Sequence, residues 1–506
     1  METILLVFVI AIVMALLYIF CRLIFSLWGF PILAYRKLKK NGLDGPSPRF
    51  PFGNLSEMKK KTINFQSSNI SHDIHSTLFP FFTRWQNSFG KTFVYWLGTE
   101  PFLYIADPEL LKKLSAEVTA KNWGKPAVFR RDRAPMFGNG LVMSEGKDWV
   151  RHRHVITPAF NPTNLKLYAM ASLIVETTIK MLDNWKDSGA QEIDVEREIT
   201  ATAGDIIAKT GFGISYQSGR LVFEKLRSLQ MTLFKTSRLV GVPFGKIMHP
   251  KETLKARKLG QEINQLFLSI IDERQKSIKG STPQCDLLGL LLKESERGFT
   301  TQELVDECKT FFFGGHETTA LAITWTMLLL ATHQDWQHQL REESREVVGD
   351  NKEIDVDMLS ELKKMGWVMN EALRLYPSSP NAQRQAKADI HVSDNLSIPS
   401  GTNMWIDIVG MHHDPALWGE DVNEFKPERF KDDIHGGCKH KMGYLPFGFG
   451  GRMCIGRNLT FLEYKIVLTL ILTRFSFTIS PTYSHSPSVE LTLRPSYGLP
   501  LALQPL

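Results

Sequence analysis

The chain has 506 residues, 43% of them hydrophobic and 22% charged, which excludes a disordered or low-complexity protein and leaves room for a large core. Its formal net charge of +7 comes from dispersed basic residues with no nucleic-acid-binding motif, so most of that charge reads as solvated surface. Five cysteines (Cys21, Cys285, Cys308, Cys438 and Cys454) are few, scattered and odd in number, which argues against a disulfide framework and for a reducing compartment.

Thr3 to Cys21 form an uncharged apolar run, followed by Arg22 and a second apolar stretch to Trp28, long enough to span a bilayer. No basic segment precedes the run, and it is too long for the apolar core of a cleaved signal peptide, so residues 1–28 are expected to be a membrane anchor. Arg36, Lys37, Lys39 and Lys40 follow it and only Glu2 precedes it, which places the bulk of the chain in the cytosol. Pro46, Pro48 and Pro51 cannot continue a helix, and 29–54 are expected to be a basic and proline-rich hinge. No linker or repeat interrupts the rest, so 55–506 are expected to form one domain.

Long helical patterns dominate that domain, with short alternating segments near 93–106, 389–398 and 475–504; the expected fold is mainly α with small peripheral β-sheets. Thr300 and Glu303 have capping-box spacing and open a mostly apolar helix to about residue 332. In its middle, Phe311-Phe-Phe-Gly314-Gly315-His316-Glu317-Thr318-Thr319 spends two glycines where helix formers would be favoured by about 1 kcal/mol each. That choice suggests a flat group or a bound diatomic approaching the backbone at Gly314 and Gly315, with Thr318 as hydrogen-bond donor and Glu317 as proton relay. A Thr318 hydroxyl bonded back to a carbonyl four residues earlier is the bland alternative, and His316 reads as a satisfied helix histidine. Further along, Glu371 and Arg374 share one helix face that ends at Pro377. Phe425-Lys-Pro-Glu-Arg429-Phe supplies a second guanidinium. His412 and His413 look ligand-like, but no metal is assigned to them.

The most informative segment is Phe447-Gly-Phe-Gly450-Gly-Arg452-Met-Cys454-Ile-Gly456, which reads as a haem-thiolate loop. Gly450 and Gly451 leave room for a macrocycle, Arg452 can pair with a propionate, and Gly456 lets the next helix lie against the ring. Free N–H groups and the helix dipole are expected to favour a Cys454 thiolate.

Every fixed position of this segment resembles the cysteine signature of the cytochrome P-450 superfamily, Phe-x-x-Gly-x-Arg-x-Cys-x-Gly. The distal Gly-Gly-His-Glu-Thr-Thr, the Glu371/Arg374 pair and the Pro-Glu-Arg-Phe segment are similar to that family's patterns as well, over essentially the whole chain after the anchor. The resemblance implies a haem-thiolate catalytic domain over 55–506 and a haem b cofactor, iron protoporphyrin IX, with Cys454 as the axial iron ligand. It implies that Arg452, Trp149, Arg153 and Arg384 bind the propionates, with Phe447, Gly450 and Gly456 beside the ring. Glu371, Arg374 and Arg429 would form a structural charge network behind the loop. Thr318 and Glu317 would serve catalysis, as one atom of O2 enters a small lipophilic substrate.

Electrons would come from an NADPH-dependent diflavin reductase at the endoplasmic-reticulum membrane, docking on a basic patch of Lys426, Arg429, Lys439, Lys441 and Arg457. Pocket walls are expected at Trp123–Asn139, Phe311–Gly315, Ser378–Ala382 and Tyr497–Leu499. Glu307 to Ala320, Trp325 to Met327 and the tail His485-Ser-Pro-Ser-Val resemble a plant clan that includes hydroxylases of cytokinins, gibberellins and brassinosteroids, which suggests a hormone- or terpenoid-like substrate. Two alternatives are an oxygen-independent haem-thiolate isomerase or dehydratase, whose distal helix is often altered, and a non-enzymatic haem-binding sensor or carrier, which needs no distal acid and alcohol.

Overall fold

A computed structural model describes residues 2–59, 70–117, 123–160, 167–189, 191–214, 216–235, 239–278, 286–295, 299–349, 354 and 356–506; Cys285 lies outside them. The N-terminal helix α1 (Glu2–Ile24) continues through a π turn at Phe25–Gly29 into α2 (Phe30–Lys40). This helix is long and apolar enough to cross a membrane, and its most apolar window packs against nothing in the domain. Pro31 does not break it; it follows directly on the π turn, in which Phe30 N donates to Phe25 O. The basic residues before Lys40 therefore ride on the helix. The proline-rich stretch after it is docked on the domain: Val94 N donates to Asp44 O (2.8 Å) and Trp96 N to Asn54 Oδ1 (2.9 Å).

The domain is mostly helical, as expected. Helices α3 (Ala127–Phe137), α4 (Gly146–Ile156), α5 (Val195–Phe212) and α6 (Tyr216–Lys235) surround a central α7 (Thr301–Thr332), and α8 (Lys363–Leu375) and α9 (Arg457–Arg474) close the opposite side. Helix α7 begins with the expected capping box: Glu303 N donates to Thr300 Oγ1 (3.2 Å) and Thr300 N to Glu303 Oε2 (2.8 Å). From Leu304 on it is buried nearly all round, which explains its almost continuous apolar sequence.

The strands are β1 (Thr92–Leu97), β2 (Glu100–Ile105), β3 (Trp123–Gly124), β4 (Glu192–Asp194), β5 (Asn381–Ala386), β6 (Ile390–Ser393), β7 (Leu396–Ile398), β8 (Asn403–Asp407), β9 (Phe475–Ile479), β10 (Pro487–Glu490), β11 (Thr492–Pro495) and β12 (Pro500–Pro505). They form small sheets in the orders β1-β2-β8-β5-β3, β4-β12-β9, β10-β11 and β6-β7. In the largest, β2 and β8 run parallel, with Phe102 opposite Asn403, and β5 pairs antiparallel with β8, with Arg384 opposite Met404. That register delivers Gln383 and Arg384, two hundred and more residues from α3, to the wall of the cavity that α3 also lines.

Candidate functional site

Cys454 sits in the loop ahead of α9, where its N–H donates to Phe447 O (2.8 Å) and closes the loop. Gly450, at φ +63°, supplies the left-handed turn that this closure requires. The cysteine opens onto a cavity of about 690 Å³ and an adjoining one of about 230 Å³. Burial pushes its thiol up; the N–H groups of Gly456 and Arg457 and the Arg153 charge act the other way without cancelling it. The expected thiolate-favouring groups are present, but desolvation by the surrounding protein outweighs them. A bound metal cation, which deprotonates a coordinating thiol outright, would reverse that balance. A side chain at Gly456 would meet only Cys454 Sγ, at 3.9 Å, so no protein neighbour demands glycine there.

Across both cavities from Cys454 runs α7, with Gly314 and Thr318 in the wall. The two glycines divide the role expected of them. A Cβ at Gly314 would have no protein atom within 4 Å and would project into open space, whereas one at Gly315 would lie 2.8 Å from Ile207 Cδ1 on α5. Gly315 is therefore explained by helix packing, and Gly314 by the space it leaves. The Thr318 hydroxyl donates to Gly314 O (2.8 Å), so the residue is at the cavity with its proton directed back along the helix.

Glu317 is not part of either wall. Its carboxylate accepts from Thr492 Oγ1 (2.9 Å) and Gln230 Nε2 (3.2 Å) and lies 3.8 Å from Arg494, which also holds Glu196 at 2.7 Å. Burial pushes the Glu317 carboxyl up, but Arg494, His316 and the two hydrogen bonds outweigh it and hold it below its ordinary value. His316 donates from Nδ1 to Phe312 O (2.7 Å), as a satisfied helix histidine does.

One flank of the site is cationic. Arg452 donates to Ser144 O (3.0 Å) and Trp123 O (3.3 Å) and stacks on Trp149 with its guanidinium carbon 4.7 Å from the ring centre. Its buried Nε has no hydrogen-bond partner among the described residues. Arg384 donates to Gln383 O (2.9 Å), and Arg153 to Met453 O (3.1 Å), which ties α4 to the residue before the cysteine. Burial brings Arg452 down to about 9, with Arg384 adding to it, and burial brings Arg384 down to about 10. Lys125, inside the expected pocket segment Trp123–Asn139 but not among the expected propionate partners, lines both cavities; burial and then Arg384, Arg452 and Arg133 pull its amine well below the ordinary value. Clustered, desolvated cations with an orphan N–H suit anionic groups such as propionates. Phe447 lines the larger cavity and packs at 5.7 Å on Phe461.

Behind the loop, Arg374 donates from Nε to Glu371 Oε2 (2.7 Å) and from NH2 to Glu371 Oε1 (2.8 Å), and both residues are fully buried. Its remaining donors reach Val422 O (2.7 Å) and His412 O (3.0 Å). Arg429 lies 3.5 Å from Glu371 and 2.8 Å from Asp421. His412 accepts at Nε2 from Leu445 N (2.9 Å), and His413 donates at Nε2 to Leu375 O (2.9 Å), so both serve this scaffold.

Two expectations need correction. Tyr497 is 72% exposed and Leu499 is buried in the core, so neither lines the pocket; the hairpin β10–β11 does, through Pro487, Val489 and Leu491. Arg429 belongs to the buried network and Lys426 pairs with Asp421 and Glu424, which leaves Lys439, Lys441 and Arg457 as the exposed part of the basic patch.

The chain matches a family model described as cytochrome P450 over residues 61–501. It is 37% identical over 522 residues to a cytokinin hydroxylase of Arabidopsis thaliana, covering 100% of this chain and 99% of that protein. It is 36% identical to cytochrome P450 734A1 of Arabidopsis thaliana (95% of this chain, 93% of that one) and 35% identical to cytochrome P450 714C2 of Oryza sativa subsp. japonica (96% and 97%).

Proposed function

The chain belongs to the cytochrome P450 family and is a monooxygenase-type oxidoreductase with a haem-iron cofactor; from that premise we propose that it is a membrane-anchored enzyme that uses haem b to hydroxylate a small lipophilic substrate. The observation that carries this reading is the opposition of Cys454 to Gly314 and Thr318 across one cavity, with cations along one flank. Cys454 would bind the iron, while Arg452, Arg384, Arg153 and Trp149 would hold the propionates beside Phe447, Gly450 and Gly456. When bound, the haem supplies the oxygen-activating chemistry, to which a thiolate ligand contributes electron density.

The residues of this chain do the positioning and the proton handling. Gly314 leaves space at the distal face, and the Thr318 hydroxyl, now donated to Gly314 O, can turn toward a polar group there. Glu317 stands one residue behind the wall in an ionised network with Arg494 and Gln230, where it can pass protons without exposing a carboxylate to substrate. Phe129, Phe137, Phe313 and Val489 supply an apolar wall that orients a C–H bond and excludes water. The relatives named as cytokinin hydroxylases support hydroxylation of a hormone- or terpenoid-sized molecule. The apolar α1 supports anchoring in the endoplasmic-reticulum membrane, and exposed Lys439, Lys441 and Arg457 suit an acidic face of a diflavin reductase.

The test is the absorption spectrum of the dithionite-reduced, CO-bound protein beside Cys454→Ser, followed by NADPH- and O2-dependent turnover with a reductase. A strongly red-shifted Soret band that is lost in the variant is expected. Its absence from a haem-replete wild-type sample would remove the thiolate and the monooxygenase with it.

A further inference from the structure

The larger cavity has a cation that the cofactor site does not account for. Arg133, on α3, is 7% exposed and lines only the larger cavity, whereas Arg384 and Arg452 line both. Its guanidinium carbon lies 4.5 Å from the centre of Phe129 and 5.6 Å from that of Phe234, so the planar group is held between rings. NH1 donates to Gln383 Oε1 (3.0 Å), and Gln383 is itself fixed by donating from Nε2 to Asn381 Oδ1 (3.1 Å). No carboxylate among the described residues forms an ion pair with Arg133; Asp132, next along the chain, acts on it only through space. Among the described residues, no Asp or Glu stands in the wall of that cavity.

A buried charge without a counter-ion is costly, and breaking an existing pair costs more than never burying one. Its retention among the rings of Phe129, Phe137 and Phe313, apart from the cations Lys125, Arg384 and Arg452 that line both cavities, is explained if the counter-ion arrives with the ligand. Resting on the monooxygenase reading above, we propose that the substrate is a lipophilic carboxylic acid whose carboxylate pairs with Arg133 while its apolar body extends over Phe129, Phe137, Phe313 and Val489 toward the cysteine side. A guanidinium fork matches a carboxylate in two parallel hydrogen bonds, and a single fork suits a single negative charge. Arg133 is thereby a specificity-determining residue: it orients the acid end away from the reacting carbon and rejects neutral analogues, which would leave it unpaired.

The experiment uses full-length holoprotein in detergent at about pH 7.5, where carboxylic acids are ionised. Substrate-induced Soret shifts are titrated with dodecanoic acid and methyl dodecanoate, and with abietic acid and methyl abietate. At least one acid is expected to bind about tenfold or more tightly than its ester, about 1.4 kcal/mol. In Arg133→Gln that preference should vanish through weaker acid binding, with haem content and the reduced CO spectrum unchanged. Arg133→Lys, which keeps the charge without the fork, should retain part of it and serves if the Gln variant does not accumulate.

Equal affinity for acids and esters, no binding of either acid, or a full preference in both variants would each overturn the proposal. Loss of haem from a folded Arg133→Gln would also overturn it, by assigning the guanidinium to a propionate. A normal thiolate spectrum without acid preference removes this inference alone, while a missing thiolate band in wild type removes both.

Discussion

Adjacent residues with the same identity do different work here, and substitution separates them. Gly315→Ala forces a methyl to within 2.8 Å of Ile207 and is expected to cost about 1–3 kcal/mol by thermal or denaturant unfolding. Gly314→Ala meets no protein atom and removes a helix glycine, so the apo-domain should be stabilised by up to about 1 kcal/mol while haem uptake or ligand affinity falls. Thr318→Ala leaves Gly314 O without its side-chain donor; haem content should be unchanged, with product formed per NADPH oxidised reduced several-fold.

Glu463, on α9, is buried with Oε1 unpartnered, and burial pushes its carboxyl well up. The folded state therefore binds a proton that the unfolded chain has released, and stability from this group falls as pH rises above the ordinary glutamate value near 4.5. Glu463→Gln should accordingly raise Tm at neutral and higher pH, with the gain shrinking toward pH 4.5, as a melting series across pH would read.

Among the elements, α7 and α8 carry the most information. The capping box at Thr300 and Glu303 starts α7 as its spacing requires, and Thr300→Ala should cost about 1 kcal/mol. On α8 the i,i+3 spacing of Glu371 and Arg374 puts them on one face, but spacing alone describes a surface pair as well as a buried one. Packing against 412–430 converts it into a fully desolvated bidentate pair. Removing one partner would strand the other, so Arg374→Ala should lose about 3–5 kcal/mol and fail to accumulate as haem-replete protein. The β10–β11 hairpin replaces the segment Tyr497–Leu499 as pocket wall because the turn at Glu490–Thr492 directs Val489 and Leu491 inward, while the chain that follows returns to the β4-β12-β9 sheet.

For the whole molecule, the domain stands apart from its apolar N-terminal helix, whose most apolar window is entirely exposed and whose first buried side chain among the described residues is that of Pro31. Deletion of residues 2–28 should move the protein from membranes to the soluble fraction and leave the reduced CO spectrum unchanged. The apolar N-terminal helix, the distal helix, the charge pair and the cysteine loop were all legible in the sequence because each is written in a short stretch whose chemistry is carried by spacing: eighteen or more apolar residues, a capping box, an i,i+3 pair, glycines around a cysteine. Whatever depended on elements far apart in the chain was not legible. The turn of Glu317 toward Arg494, the packing of Ile207 on Gly315, the place of Lys125 in the cationic flank, and the meeting of Arg133, Phe234 and Gln383 at one wall follow from helix crossings and strand register. Short motifs therefore determined what kind of centre the chain builds, whereas the walls and charges that choose its ligand were decided by tertiary packing, since only the folded chain sets which side chains lose water together and which keep a partner.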